Sequence, residues 1–102
     1  MVKAFISQPM RDKSNEEIEA VRAAAVARIK EICGDDVEVI DSFFKDAPHD
    51  AKPLWFLGRN IELLSTADVA FFCKGWENYC GCRIENQCAI EYGINVVIED
   101  YK

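Results

Sequence analysis

The sequence contains no apolar run approaching the roughly 18 residues of a membrane-crossing helix. Met1-Val2-Lys3 leads directly into a strand-like segment instead of a secretory leader, so a cytoplasmic protein with no membrane partner is expected. Basic residues are scarce as well: 12 Lys and Arg against 18 Asp and Glu leave a net charge of -6. That balance argues against polymeric nucleic acid, whose binding requires phosphates to be neutralised. A small phosphorylated ligand stays open, because a helix N-terminus holds a phosphate with few cations. Neither G-x-G-x-x-G nor G-x-x-x-x-G-K-[ST] occurs, so the common dinucleotide and triphosphate cradles have no support. Histidine is limited to His49 and no C-x-x-C pair exists, which leaves the five cysteines without the usual zinc spacing. Cys80, Cys82 and Cys88 are clustered enough to be considered for zinc, but free thiols in a reducing compartment are the simpler reading. No metal and no cofactor are expected. With only five Gly and three Pro there is no linker, repeat or low-complexity segment.

What is present reads as one globular domain spanning 1–102, half of it apolar and 29% charged. Val2, Ala4, Phe5 and Ile6 form a strand-like stretch that Ser7-Gln8-Pro9 stops. Ser14 with Glu17 three residues later is a capping box, and Ile18, Val21, Ala25, Ile29 and Ile32 then recur at helical spacing as far as Gly34. Val37, Val39 and Ile40 make a second strand ending at Asp41-Ser42, followed by a loop over 43–52. Pro53 suits the first turn of a second helix, whose Leu54, Leu57, Ile61 and Leu64 share one face. The unbroken apolar run Val69–Cys73 predicts a strand buried on both faces. A third helix is expected from Gly81 to Tyr92, with Gly93 as its stop and Asn95–Ile98 as the last strand. Strands alternating with helices imply a parallel sheet, here a small three-layer α/β domain of the Rossmann-like or flavodoxin-like kind with four to five strands.

Ligands of such sheets bind beyond the carboxyl ends of the strands, where strand order reverses. The rule selects Ser7-Gln8-Pro9-Met10, Asp41-Ser42-Phe43-Phe44, the segment 74–80 and the first turns of the following helices. In the third helix Ile84, Cys88 and Tyr92 draw an apolar stripe, and Glu85 borders it. Glu85 is then either a solvated acid favoured by the helix N-terminus or a carboxylate aimed into the crevice as nucleophile or base. Asp68 reads as a cap at the bottom of the sheet. Asp41, at a strand end, reads as a turn cap or a ligand contact. Phe43, Phe44, Trp76 and Tyr79 are core residues or a stacking wall for a base, and Met10 is packing.

Gly81-Cys82-Arg83-Ile84-Glu85, followed by Ala89 and Gly93, resembles the nucleoside 2-deoxyribosyltransferase superfamily, which includes the deoxynucleoside-monophosphate N-glycosidases. The segment from Asn60 to Val69 resembles that family's helix running into an Ala-Asp-Val strand, and Ser7-Gln8-Pro9 resembles its first substrate-binding loop. The layout extends over nearly the whole chain and is similar above all to short bacterial and phage proteins assigned to the superfamily. The resemblance implies a nucleoside or nucleotide substrate whose N-glycosidic bond is broken by Glu85 as nucleophile, in a hydrolase or transferase reaction. Ser7, Gln8, Pro9, Asp41 and Gly81 would contact the substrate. Asn60 stands where the family has an Asp that handles the leaving base, so a proton would have to come from Asp41 or Tyr79. Arg83 is either a phosphate ligand or an exposed helix-start residue. The alternative to an enzyme is a nucleotide-binding module without turnover, which Asn60 favours, or a subunit with a vestigial crevice. Because the domain is small, a homodimer or larger homo-oligomer is expected.

Overall fold

Strand β1 forms over Val2–Ser7 in the computed structural model of the chain, which describes residues 1–10, 13–41 and 48–99. The capping box behaves as the residue types demand. Glu17 N–H donates to Ser14 Oγ at 3.1 Å and Ser14 N–H donates to Glu17 Oε1 at 3.1 Å. These bonds open helix α1 (Asn15–Cys33), which Gly34 ends at φ +85°. Helix α1 buries Ile18, Ala25 and Ile29, whereas Val21 and Ile32 are exposed, so its core-facing stripe is narrower than the apolar spacing predicts. Strand β2 (Val37–Val39) stops one residue short of Ile40. Pro53 stands at the start of α2 (Pro53–Leu64), β3 runs over Val69–Phe72, and a single 3-10 turn occupies Trp76–Asn78. Helix α3 (Cys80–Glu91) starts one residue before the expected Gly81, and β4 (Asn95–Ile98) completes the order.

The four strands are all parallel, in the order β2-β1-β3-β4. Strand β1 pairs Ala4 with Val39 on one side and Ser7 with Phe72 on the other. The chain thus moves outward from β1 to β2, then returns across β1 to build β3 and β4. The β1/β3 junction is the reversal point that parallel sheets use for ligands.

Side chains alternate across the sheet and so divide the core in two. Ala4, Ile6, Val69, Phe71 and Cys73 face α1, where Ala25 and Ile29 meet them. Phe5, Ala70 and Phe72 face the other way onto Leu64 of α2 and Ala89 of α3. Both central strands are covered on both faces, which explains their unbroken apolar runs. The result is three layers: α1, the sheet, and α2 with α3. Asp68 caps the amino-terminal end of the sheet, its Oδ2 accepting from Lys3 N–H at 2.9 Å. Among the described residues no helix is long and apolar enough to cross a membrane.

Phe71 is 1% exposed at the centre of the α1-facing core. Phe71→Ala is expected to cost about 3–5 kcal/mol and Ser14→Ala about 1 kcal/mol in urea unfolding, because one opens a cavity and the other removes a cap.

Candidate functional site

The carboxyl end of β1, helix α2 and the first turns of α3 enclose a cleft of about 610 Å3. Its floor comes from three places in the chain. Ser7 and Gln8 end β1, Asn60 projects from α2, and Glu85 comes from the second turn of α3; all four line the cleft.

Glu85 is 4% exposed and lies in the middle of the buried face of α3, with Cys82 three residues before it and Ala89 four after. The sequence reading of this helix is corrected here. Ile84 is 39% and Tyr92 84% exposed, so the stripe drawn through them is a solvent-facing flank and the carboxylate takes the core position. Apolar spacing alone missed this, because the residues at the centre of that face are a Cys, a Glu and an Ala.

Ser7 Oγ donates to Glu85 Oε1 at 2.6 Å, the short distance of a charge-assisted bond. Burial pushes the Glu85 carboxyl up to about 7, while hydrogen bonds from Ser7 and then Asn60 pull it back. Among the described residues of the lining there is no cation, and Glu85 is the single charged side chain. Beside it, Cys82 is 5% exposed, and burial raises its thiol to about 11, a value that a Ser7 hydrogen bond moderates. Such a thiol is a packing group, not a nucleophile. Gln8 ties the β1 end to α1, its Nε2 donating to the Ile18 carbonyl at 3.0 Å. Gln8 Oε1 and Asn60 Oδ1 are buried with no hydrogen-bond partner, so the floor carries acceptor capacity that the protein does not use.

The walls are apolar. Pro9 and Met10 continue from β1, Phe56 and Leu57 stand one turn before Asn60 on α2, and Tyr79 closes the side next to α3. A Cβ at Gly81 would meet no atom within 4 Å, so that glycine leaves open space at the mouth of the cleft. Tyr79 is set by its backbone: its N–H donates to the Trp76 carbonyl at 3.1 Å and its carbonyl accepts from Arg83 N–H at 3.0 Å.

Of the residues the sequence singles out, the fold brings Ser7, Gln8, Pro9, Asn60, Tyr79, Gly81 and Glu85 to one cleft. It does not bring Asp41 or Arg83 there. Asp41 is exposed past the end of β2, and Arg83 is exposed with its Nη1 donating to the Glu77 carbonyl at 2.8 Å. Two residues along a helix turn a side chain about 200° away, which sends Arg83 outward while Glu85 points in. Ser42, Phe43 and Phe44 lie outside the described residues. Trp76 packs on Phe72 with ring centroids 5.5 Å apart, as a core residue rather than a stacking wall. Sequence reasoning missed Met10, Phe56 and Leu57 as walls. Their apolar character spoke for packing, although Asn60 one turn beyond Phe56 on the same helix was a usable signal.

The carboxyl of Glu85 is raised above its ordinary 4.5. Its neutral form is therefore the better one for the folded state. That stability is fully present below about pH 4.5 and is lost as pH rises through about 7. Glu85→Gln, neutral at every pH, is expected to match the wild type near pH 4 and exceed it by on the order of 3 kcal/mol near pH 8 in urea unfolding. An equal stability difference at both pH values would contradict a desolvated carboxyl.

No protein-family model matches the chain, and no curated protein matches it, so the chemistry of the cleft itself carries the functional reading.

Proposed function

We propose that the cleft binds a nucleoside or nucleotide and that Glu85 attacks its anomeric carbon, giving a deoxyribosyltransferase or N-glycosidase reaction of the kind the sequence resemblance implies. The observation that carries this reading is the buried Glu85 carboxyl, held by Ser7 on the floor of an apolar-walled cleft at the carboxyl end of β1. A carboxylate in that position stabilises oxocarbenium-like charge and then bonds to it. Ser7 donates to Oε1, and Asn60 adds a second hydrogen bond to the carboxyl, so the group is held in place at the cleft floor. Desolvation makes the ionised form more nucleophilic than a solvated carboxylate, and a value near 7 still leaves it substantially ionised at neutral pH. In the second half of the reaction, water or another base attacks the same carbon and frees the carboxylate. The apolar walls suit the faces of a base, and the open acceptors Gln8 Oε1 and Asn60 Oδ1 suit sugar hydroxyls or ring N–H groups.

Asn60 favours a second reading, a module that binds the same ligands without turnover, since an amide at that position transfers no proton. In both readings the protein works in the cytoplasm, and a second copy of the chain closes the cleft. The exposed apolar side chain of Leu54 on α2, next to the Pro53 that lines the cleft, is available to such a contact.

The test is a panel of deoxynucleosides and their monophosphates, with free base followed by chromatography and binding by calorimetry. Base release is expected, abolished in Glu85→Ala and falling as pH drops below about 7, where Glu85 takes up its proton. Binding without release would establish the module, and neither binding nor release would sink both readings.

A further inference from the structure

Breaking an N-glycosidic bond leaves an electron pair on the base, and general acid catalysis supplies a proton to it as the bond lengthens. Asn60 has no proton to give, and Asp41 lies exposed outside the cleft lining. Among the described residues that line the cleft, the side chains with an acidic proton are Ser7, Tyr79, Cys80, Cys82 and Glu85. The Ser7 proton is engaged on Glu85 Oε1, and Glu85 is the nucleophile. Cys82 is buried within the floor against both, with its thiol pushed up to about 11. Cys80 is exposed at the first residue of α3.

Tyr79 differs from all of these. It is half-buried in the wall, and its hydroxyl makes no hydrogen bond among the described residues. Its backbone is held on both sides, by Trp76 and by Arg83, and Trp76 is itself packed on Phe72. Tyr79 precedes Glu85 by six residues, which displaces its backbone by about 9 Å along the helix axis. Both side chains line the same cleft, Glu85 on its floor and Tyr79 in its wall.

Resting on the reading of Glu85 as nucleophile, we propose that Tyr79 is the catalytic acid that protonates the departing base. In the first step the Glu85 carboxylate forms a C–O bond to the anomeric carbon while the C–N bond breaks. The phenol proton passes to the base nitrogen, so the base leaves neutral and Tyr79 becomes a phenolate. In the second step the phenolate takes a proton from water as the water oxygen bonds to the anomeric carbon. The ester C–O bond breaks, and both Glu85 and Tyr79 return to their starting states. A phenol can donate its proton in the first step and recover one from water in the second.

The experiment uses the full chain and the deoxynucleoside that the wild type cleaves fastest. Its partner substrate carries a better leaving base, N7-methylated for a purine or fluorinated at C5 for a pyrimidine. Tyr79→Phe is expected to slow release of the ordinary base by ~10²–10⁴-fold and to slow release of the activated base far less. Calorimetric binding should persist, which separates lost catalysis from a misfolded variant. Tyr92→Phe, altering a phenol that is 84% exposed at the far end of α3, should leave both rates unchanged. An equal loss on both substrates would make Tyr79 a contact rather than an acid and overturn the proposal. The same is true if the leaving-group-selective loss appears in Cys80→Ala and not in Tyr79→Phe. Wild-type protein that releases no base from either substrate would instead remove the glycosidic reading on which the proposal rests.

Discussion

The short hydrogen bond between Ser7 and Glu85 joins residues 78 positions apart and closes the carboxyl end of the sheet. A carboxylate occupies a position on α3 where burial would ordinarily select an aliphatic side chain. Desolvation raises the carboxyl to about 7, and hydrogen bonds from Ser7 and then Asn60 oppose that rise. The fold tolerates this group because it is satisfied by a hydroxyl on the most buried strand pair, where Ser7 is 1% exposed. That contact ties the second turn of α3 to the end of β1, and Cys82 is buried beside it.

Topology supplies the room. Strand order reverses between β1 and β3, so the connections leaving those strands go to opposite sides and do not cover their ends. Into that gap α2 contributes Phe56, Leu57 and Asn60 from successive turns, while α3 contributes Gly81 and Glu85. Helical geometry then decides which neighbours share the cleft. Arg83 and Glu85 are two residues apart and face opposite environments, so a cation that looks adjacent in the chain does not line the cleft. The consequence, among the described residues, is a concave surface with one carboxylate, two unused amide acceptors, one phenol and apolar walls.

Much of the fold was legible because local signals agreed with one another. The Ser14–Glu17 capping box, Gly34 after the last helical turn, Pro53 at a helix start and the Val69–Cys73 run each have a local physical cause that survives packing. Legibility failed where exposure depends on what lies opposite. Ile84, Tyr92, Val21 and Ile32 repeat at the spacing of core residues, yet each stays exposed in the fold. Glu85, Cys82 and Ala89 carry little hydrophobic signal but hold the buried positions.

From the sequence alone came the alternation of strand and helix, the parallel sheet it implies, and the short segments at the strand ends where chemistry belongs. Those follow from periodicity, caps and chain connectivity, which are properties of neighbours in sequence. Tertiary structure alone decided that Glu85 is buried rather than solvated, that Asn60 and Tyr79 share its cleft, and that Asp41 and Arg83 do not. Burial and convergence are properties of neighbours in space, and one turn of a helix or one strand reversal is enough to separate residues that the chain places side by side.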